Sequence, residues 1–175
     1  MRHPNLFVLL LSAFCFVACS RNVDKNKNQV SLSLWGITVQ GENQDEVIRN
    51  LIEQTDEFDY YDDDRTEIWR LMFCGVPFGL NLDSVQTNGV TNITNITLIT
   101  SHQSKADFEA IKNGLSKRLG NPDIEDYEGG TDEIEGRFYG RCAWYRDECN
   151  ATLRNLHSEE GGLVVFFEYN NDHIR

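Results

Sequence analysis

Three kinds of side chain in this chain could do chemistry: cysteines, histidines and dense runs of carboxylate. The cysteines are Cys15, Cys19, Cys74, Cys142 and Cys149. A reactive thiol needs a cationic neighbourhood to ionise, and nothing near Cys74 in sequence supplies one beyond Arg70, so no catalytic thiol is indicated. Cys142 and Cys149 flank Ala-Trp-Tyr-Arg-Asp-Glu. A hairpin centred on Tyr145 and Arg146 would set them opposite each other, within disulfide reach. Two outcomes stay open: a Cys142–Cys149 disulfide, or reduced, partly buried thiols. His102, His157 and His173 form no H-E-x-x-H and no pair at helical spacing, which speaks against a zinc protease. No G-x-S-x-G elbow and no phosphate-binding Gly-rich loop occurs. Ser101-His102 could pair as nucleophile and base only by assuming a fold. Glu159-Glu160-Gly161-Gly162 reads as a hairpin turn rather than as paired glycosidase carboxylates.

The carboxylates fall in two runs. Asp56, Glu57, Asp59, Asp62, Asp63, Asp64 and Glu67 lie within twelve residues, relieved only by Arg65. Asp123, Glu125, Asp126, Glu128, Asp132, Glu133 and Glu135 occupy thirteen residues with no base. Such density can collect Ca²⁺ through several oxygens. A calcium loop also needs the spacing D-x-[DN]-x-[DN]-G; Asp62 and Asp64 begin it, and Thr66 and Glu67 break it. The expectation is no metal and no cofactor. The runs read as solvated loops, or as a shared face, with Asp62, Asp63 and Asp64, that speeds association with a basic protein partner. A second contact surface is suggested by the segment 137–145. Alternation there puts Phe138 and Trp144 on one side and Tyr139 and Tyr145 on the other, with Arg137, Arg141 and Arg146 interleaved. Tyr, Trp and Arg dominate interface hot spots, although one of the two rows must serve the core.

The amino terminus says where the chain resides. Arg2 and His3 precede the thirteen mostly apolar residues Leu6 to Ala18, then Cys19-Ser20. A bilayer span needs about twenty such residues, so this is the length of a secretory signal. Phe16-Val17-Ala18-Cys19 resembles the lipobox of bacterial lipoproteins, which more often has Leu where Phe16 stands. The resemblance implies removal of residues 1–18 and lipidation of Cys19, which then holds the chain to the membrane. Residues 19–30 read as the lipidated cysteine and a polar tether. Ser20 resembles an outer-membrane sorting signal, and the acidic cluster typical of surface display is missing from Arg21-Asn-Val-Asp-Lys. The expected location is the cell envelope, at the periplasmic face of the outer membrane, with the cell surface as the alternative.

Composition narrows the partners. Of 175 residues the signal removes 18, leaving 157, enough for one domain with a real core. Net charge is −12, and loss of Arg2 leaves 15 bases against 28 acids, or −13. A nucleic-acid binder needs a basic face, so none is expected. Anionic lipid would repel the domain and leave its acyl chains as the hold.

Residues 31–175 read as a single α+β domain. Leu32 to Gln40 alternates as a strand. Asn43 caps a helix, with Glu46 at the capping-box position and Val47, Ile48, Leu51 and Ile52 as its apolar stripe. Glu67 to Phe73 and Phe78 to Leu82 follow as strands, with Gly75-Val-Pro77 as the turn between them. Thr91 to Thr100 is the next strand. Ser104 caps a second helix with Asp107 at the box position; Phe108, Ile111, Leu115 and Leu119 form its stripe, and Gly120-Asn-Pro122 ends it. Strands at 137–145, 151–156 and 163–169 complete the chain, the last apolar on both faces over its first part and so expected to be central and covered. The caps Asn43 and Ser104 lie 61 residues apart, as do Gly75 and Gly136. That spacing suggests two similar strand–helix–strands halves, about 31–90 and 91–175, forming an antiparallel sheet with both helices on one face.

The stretch Phe108 to Pro122, Trp144, Gly-Leu-Val-Val-Phe and Trp35-Gly-Ile-Thr-Val together resemble small lipoproteins of Bacteroidetes. The helix-then-strands unit, used twice, is similar in outline to the beta-lactamase inhibitor protein and to small outer-membrane assembly lipoproteins. These resemblances imply shape, not activity, and carry over no catalytic residue. The expected role is a non-enzymatic binding or scaffold module at the envelope. The alternatives are an inhibitor or immunity protein against a basic toxin or enzyme, and a hydrolase.

Overall fold

Trp35-Gly36, Cys74-Gly75 and Asn88-Gly89 take positive φ at both residues. Two-residue loops of this type match the right-handed twist of the strands they join, so each closes a tight hairpin. The computed structural model describes residues 29–61, 70–126, 139–156 and 162–169. In its first part β1 (Gln29–Leu34), β2 (Ile37–Gly41), α1 (Gln44–Gln54), β3 (Phe58–Tyr60), β4 (Arg70–Phe73) and β5 (Val76–Thr87) follow in order. The second part runs β6 (Val90–Ile99), α2 (Lys105–Leu119), β7 (Ile124–Asp126), β8 (Arg141–Trp144), β9 (Cys149–Asn155) and β10 (Leu163–Tyr169).

The hairpins correct two expectations. The single strand from Leu32 to Gln40 is broken at Trp35-Gly36 into β1 and β2, paired with Leu34 opposite Ile37. Alternation cannot reveal that reversal, because Leu32, Leu34 and Val39 are core residues on both arms. The turn expected at Gly75-Val-Pro77 lies one residue earlier, at Cys74-Gly75. Val76 and Pro77 already belong to β5, opposite Phe73 and Met72.

The strands form one sheet in the order β3-β4-β5-β6-β10-β9-β8-β7, every step antiparallel. Beside β6, on the edge it shares with β10, the first residues of β1 pair in parallel at Gln29–Ser31. Strand therefore dominates this mixed α and β fold. The division at residue 90 falls between β5 and β6, which pair from Thr87–Val90 as far as Gly79–Ile99. Topology instead delimits α1 with the meander β3–β6 and α2 with the meander β7–β10. The two meet where β6 pairs with β10.

Both helices start as their sequences require. Asn43 Oδ1 accepts from the Glu46 amide at 2.9 Å, and Ser104 Oγ accepts from the Asp107 amide at 3.0 Å. Val47, Ile48 and Leu51 of α1 and Phe108, Ile111 and Leu115 of α2 are buried in the same core. The sheet meets them with one face only: Leu71 and Phe73, Val76, Phe78 and Leu80, Ile96 and Leu98, Ala151 and Leu153, Leu163, Val165 and Phe167. Trp35 joins this side, stacking 5.4 Å from the Phe58 ring and meeting Phe167 edge-on at 6.0 Å. Arg118 of α2 lies 5.3 Å over the Trp35 ring, so the β1–β2 tip and the second helix hold each other.

Two glycines mark close approaches. A Cβ on Gly114, midway along α2, would fall 2.0 Å from Cys74 Sγ, so the β4–β5 turn seats its thiol in a notch of the helix. A Cβ on Gly162 would fall 1.5 Å from the carbonyl oxygen of Thr100. There the segment leaving β6 packs against the start of β10, fixed by Thr100 N–H to Leu163 O and Leu163 N–H to His102 O, both at 3.0 Å.

Candidate functional site

With both helices on one side, the other face of the sheet carries the alternate residues of every strand, and no described helix or strand lies across it. One row crosses seven strands in register: Arg70, Gly79, Ile99, Val164, Arg154, Arg141 and Asp126. The next holds Asn81, Thr97, Phe166, Thr152, Ala143 and Ile124. Ile99 and Leu156 are each 43% exposed and Arg154 is exposed, while Val164 and Phe166 are half-buried. Thr152, Arg154, Leu156, Val164 and Phe166 line a shallow hollow of about 330 Å³. This corrects the expectation that β10 is covered on both faces. The strand is central, yet Val164 and Phe166 look out on the helix-free side, their burial incomplete.

Arg141 and Arg154 stand directly opposite each other on neighbouring strands. Like charges in that position repel. Neither makes an ion pair within the described residues, and Arg141 Nε is buried without a hydrogen-bond acceptor. Arg70, at the far end of the row, is held by Tyr61: its Nη1 donates to Tyr61 Oη at 2.8 Å and its guanidinium stacks 5.6 Å from that ring.

The residues singled out in the sequence fare differently. Cys19, Asp62, Asp63, Asp64 and Arg137 lie outside the described residues. Tyr139 and Tyr145 are exposed by 42% and 51%, but they flank β8 rather than alternating within it. Tyr145 lends its amide to Asp123 Oδ2 at 2.7 Å. Arg146 is not a free contact residue. Its Nε donates to Leu119 O at 2.6 Å, Nη2 to Asn121 O at 2.8 Å and Nη1 to Asp123 Oδ2 at 2.6 Å. Trp144 Nε1 donates to Gly120 O at 2.9 Å. Together they close the carbonyl end of α2. The backbone donor of Tyr145, then Arg146, holds the Asp123 carboxyl below its usual range.

The disulfide expectation is not met by the register. Trp144 opposes Ala151, which centres the hairpin between Asp147 and Glu148 instead of on Tyr145 and Arg146. Cys142 therefore faces Leu153, and Cys149 faces Tyr169 on β10. Cys74, Cys142 and Cys149 are all free thiols. Burial pushes Cys142 and Cys149 up to about 12 and Cys74 up to about 11, which leaves none of them a nucleophile near neutral pH.

The described stems of the two acidic runs sit on opposite edge strands of the sheet. The stem of the first, Asp56 to Asp59, leads into the edge strand β3, and that of the second, Asp123 to Asp126, into the opposite edge strand β7. Both stems nevertheless approach α2, because the sheet curls around it. Glu57 is paired with Arg118 at 3.7 Å, and Lys112 joins Glu125 to Glu109 with both contacts at 2.9 Å. A hollow of about 600 Å³ opens between Asp59, Cys74 and the Asn113–Lys117 side of α2. Among the described residues no group of three His, Cys, Asp or Glu is placed to hold a metal, and no helix is long and apolar enough to cross a membrane.

Sequence reasoning missed the Arg141–Arg154 pair, because alternation gives the face of a residue but not its partner on the next strand. Comparison with protein-family models, with curated proteins and with solved structures returns no match for this chain.

Proposed function

We propose that this chain is a lipid-anchored protein of a bacterial envelope whose folded domain is a non-enzymatic binding module. The observation that carries the binding reading is the half-covered sheet. It spends both helices on one face and leaves Ile99, Val164, Phe166 and Leu156 incompletely buried on the other. Apolar residues gathered on a broad face, between arginines, are what a partner surface requires. A photo-cross-linking residue at Thr97, in the middle of that face, should give discrete adducts in intact envelopes. One at the exposed Glu53 on α1 should not. Absence of any adduct at Thr97 overturns the binding reading.

The anchor rests on Phe16-Val17-Ala18-Cys19 and on the polar tether after it, whose expected last residues, Gln29 and Val30, already belong to β1. Attachment at the periplasmic face of the outer membrane follows from Ser20 and from the missing acidic cluster. Changing Cys19 to Ser should move the chain from the membrane to the soluble fraction, and an unchanged distribution overturns the anchor. The repeated order of one helix and four meandering strands supports two similar halves, as the resemblance in outline to the beta-lactamase inhibitor protein suggests.

A second reading, an inhibitor or immunity protein against a basic toxin or enzyme, is favoured by the mature charge of −13 (15 bases, 28 acids). Its mark is affinity that falls steeply with added salt.

A further inference from the structure

We infer that the helix-free face of the sheet receives a polypeptide segment that carries carboxylates beside an apolar side chain, read by Arg154 and Arg141 around the hollow at Val164 and Phe166. This deepens the binding-module reading and rests on it. Two features of that face point to such a segment. The first is the arginine pair. Two guanidiniums set opposite each other repel, and although Asp126 of β7 stands on the other side of Arg141, neither arginine forms an ion pair among the described residues. The buried Nε of Arg141 is left without an acceptor among the described residues. A carboxylate oxygen satisfies both arginines at once, and the guanidinium fork is shaped for it.

The second feature is the hollow beside Arg154. Its walls are the aliphatic Val164 and Leu156, the edge of Phe166 and the Thr152 side chain, with Ile99 next in the row. Aliphatic walls suit an apolar side chain more than the hydroxyl-rich face of a sugar, which favours a polypeptide over an acidic glycan. The surrounding acids oppose such a partner at long range while the arginines attract it at contact. Salt screens both, so affinity should change little with ionic strength, unlike that of a basic partner held by the acidic runs.

The test titrates the full chain with three soluble probes: a twelve-residue peptide alternating Glu with Leu and Phe, the same peptide with Lys for Glu, and polygalacturonate. The Glu peptide should bind the wild type. Its dissociation constant should rise about tenfold or more in Arg154→Glu, since a charge-assisted pair is replaced by a repulsion. Arg154 is exposed, so that variant should melt with the wild type. Phe166→Ala should weaken the same peptide without changing its salt dependence. Equal affinity of wild type and Arg154→Glu for the Glu peptide overturns the inference. So does preference of the wild type for the Lys peptide, or polygalacturonate binding as tightly as the Glu peptide. Self-association lost in Arg154→Glu would make the face a contact between copies and overturns it too. Adducts at Thr97 together with failure of the Glu peptide would sink only this inference, whereas no adducts at Thr97 would sink the binding module itself.

Discussion

Replacing Gly162 with alanine should cost this domain a large part of its stability. The added Cβ would stand 1.5 Å from the carbonyl oxygen of Thr100, 2.5 Å from its carbon and 2.9 Å from Ser101 Cα. All three are main-chain atoms, so no side-chain rotation relieves the contact. Carbon and oxygen need about 3.5 Å, so roughly 2 Å must come from moving one chain segment off the other. Three backbone hydrogen bonds hold those segments: Thr100 N–H to Leu163 O, Leu163 N–H to His102 O and Leu156 N–H to Gly162 O. At about 0.5–1.5 kcal/mol net each, losing two or three of them costs about 1–4 kcal/mol, and residual overpacking adds about 1–3. Alanine returns only about 0.4–1 kcal/mol by restricting the unfolded chain. The expected loss is about 2–5 kcal/mol, against a total near 5–15 for an ordinary domain. Urea denaturation followed by tryptophan fluorescence should show the midpoint falling with the slope unchanged. Gly75→Ala is the control: nothing lies within 4 Å of its Cβ and only its φ of +78° is strained, so it should cost about 1–2 kcal/mol. A Gly162→Ala protein within about 0.5 kcal/mol of wild type would refute the argument, because scatter of that size is what exposed sites show.

Gly114→Ala should also destabilise, although alanine is favoured over glycine in a helix by about 1 kcal/mol. Its Cβ meets the Cys74 thiol, so stability should return in the Gly114→Ala, Cys74→Gly double variant, and a purely additive cycle would contradict the notch. The Asp123 carboxyl is lowered in the folded state, so its stabilisation is present above its unfolded pKa and is lost as pH falls through the folded value. Asp123→Asn should therefore flatten the acid limb of a stability–pH curve below about pH 4; an unchanged limb would mean that the Tyr145 and Arg146 contacts contribute nothing. Cys142 and Cys149 should resist alkylation at pH 8 in the native protein and react fully once unfolded, with no linked peptide in a non-reducing digest. A Cys142–Cys149 crosslink would show the β8–β9 register to be wrong.

What could be read from the sequence was local. Asn43 and Ser104 cap helices because their side chains reach amides three residues on, and the stripes Val47–Leu51 and Phe108–Leu115 face the core because a helix turns every 3.6 residues. Strand β10 is bounded at Leu163 and Tyr169 as expected, since a run of β-branched and aromatic residues after a glycine turn has few other uses. The tertiary structure alone decided which strands meet. Alternation is blind to reversal, so the hairpin at Trp35-Gly36 passed for a continuous strand. Three-residue edge strands such as β3 and β7 carry too little pattern to be seen. The parallel contact of β1 with β6 and the facing of Arg141 with Arg154 join residues 61 and 13 positions apart or more, distances over which no local propensity acts. Arg146 looked like a contact residue and proved to be a helix cap, because only the fold brings the β8–β9 loop to the end of α2. Local physics chose the elements; the burial of one shared core chose their neighbours, and with them the face across which no described helix or strand lies.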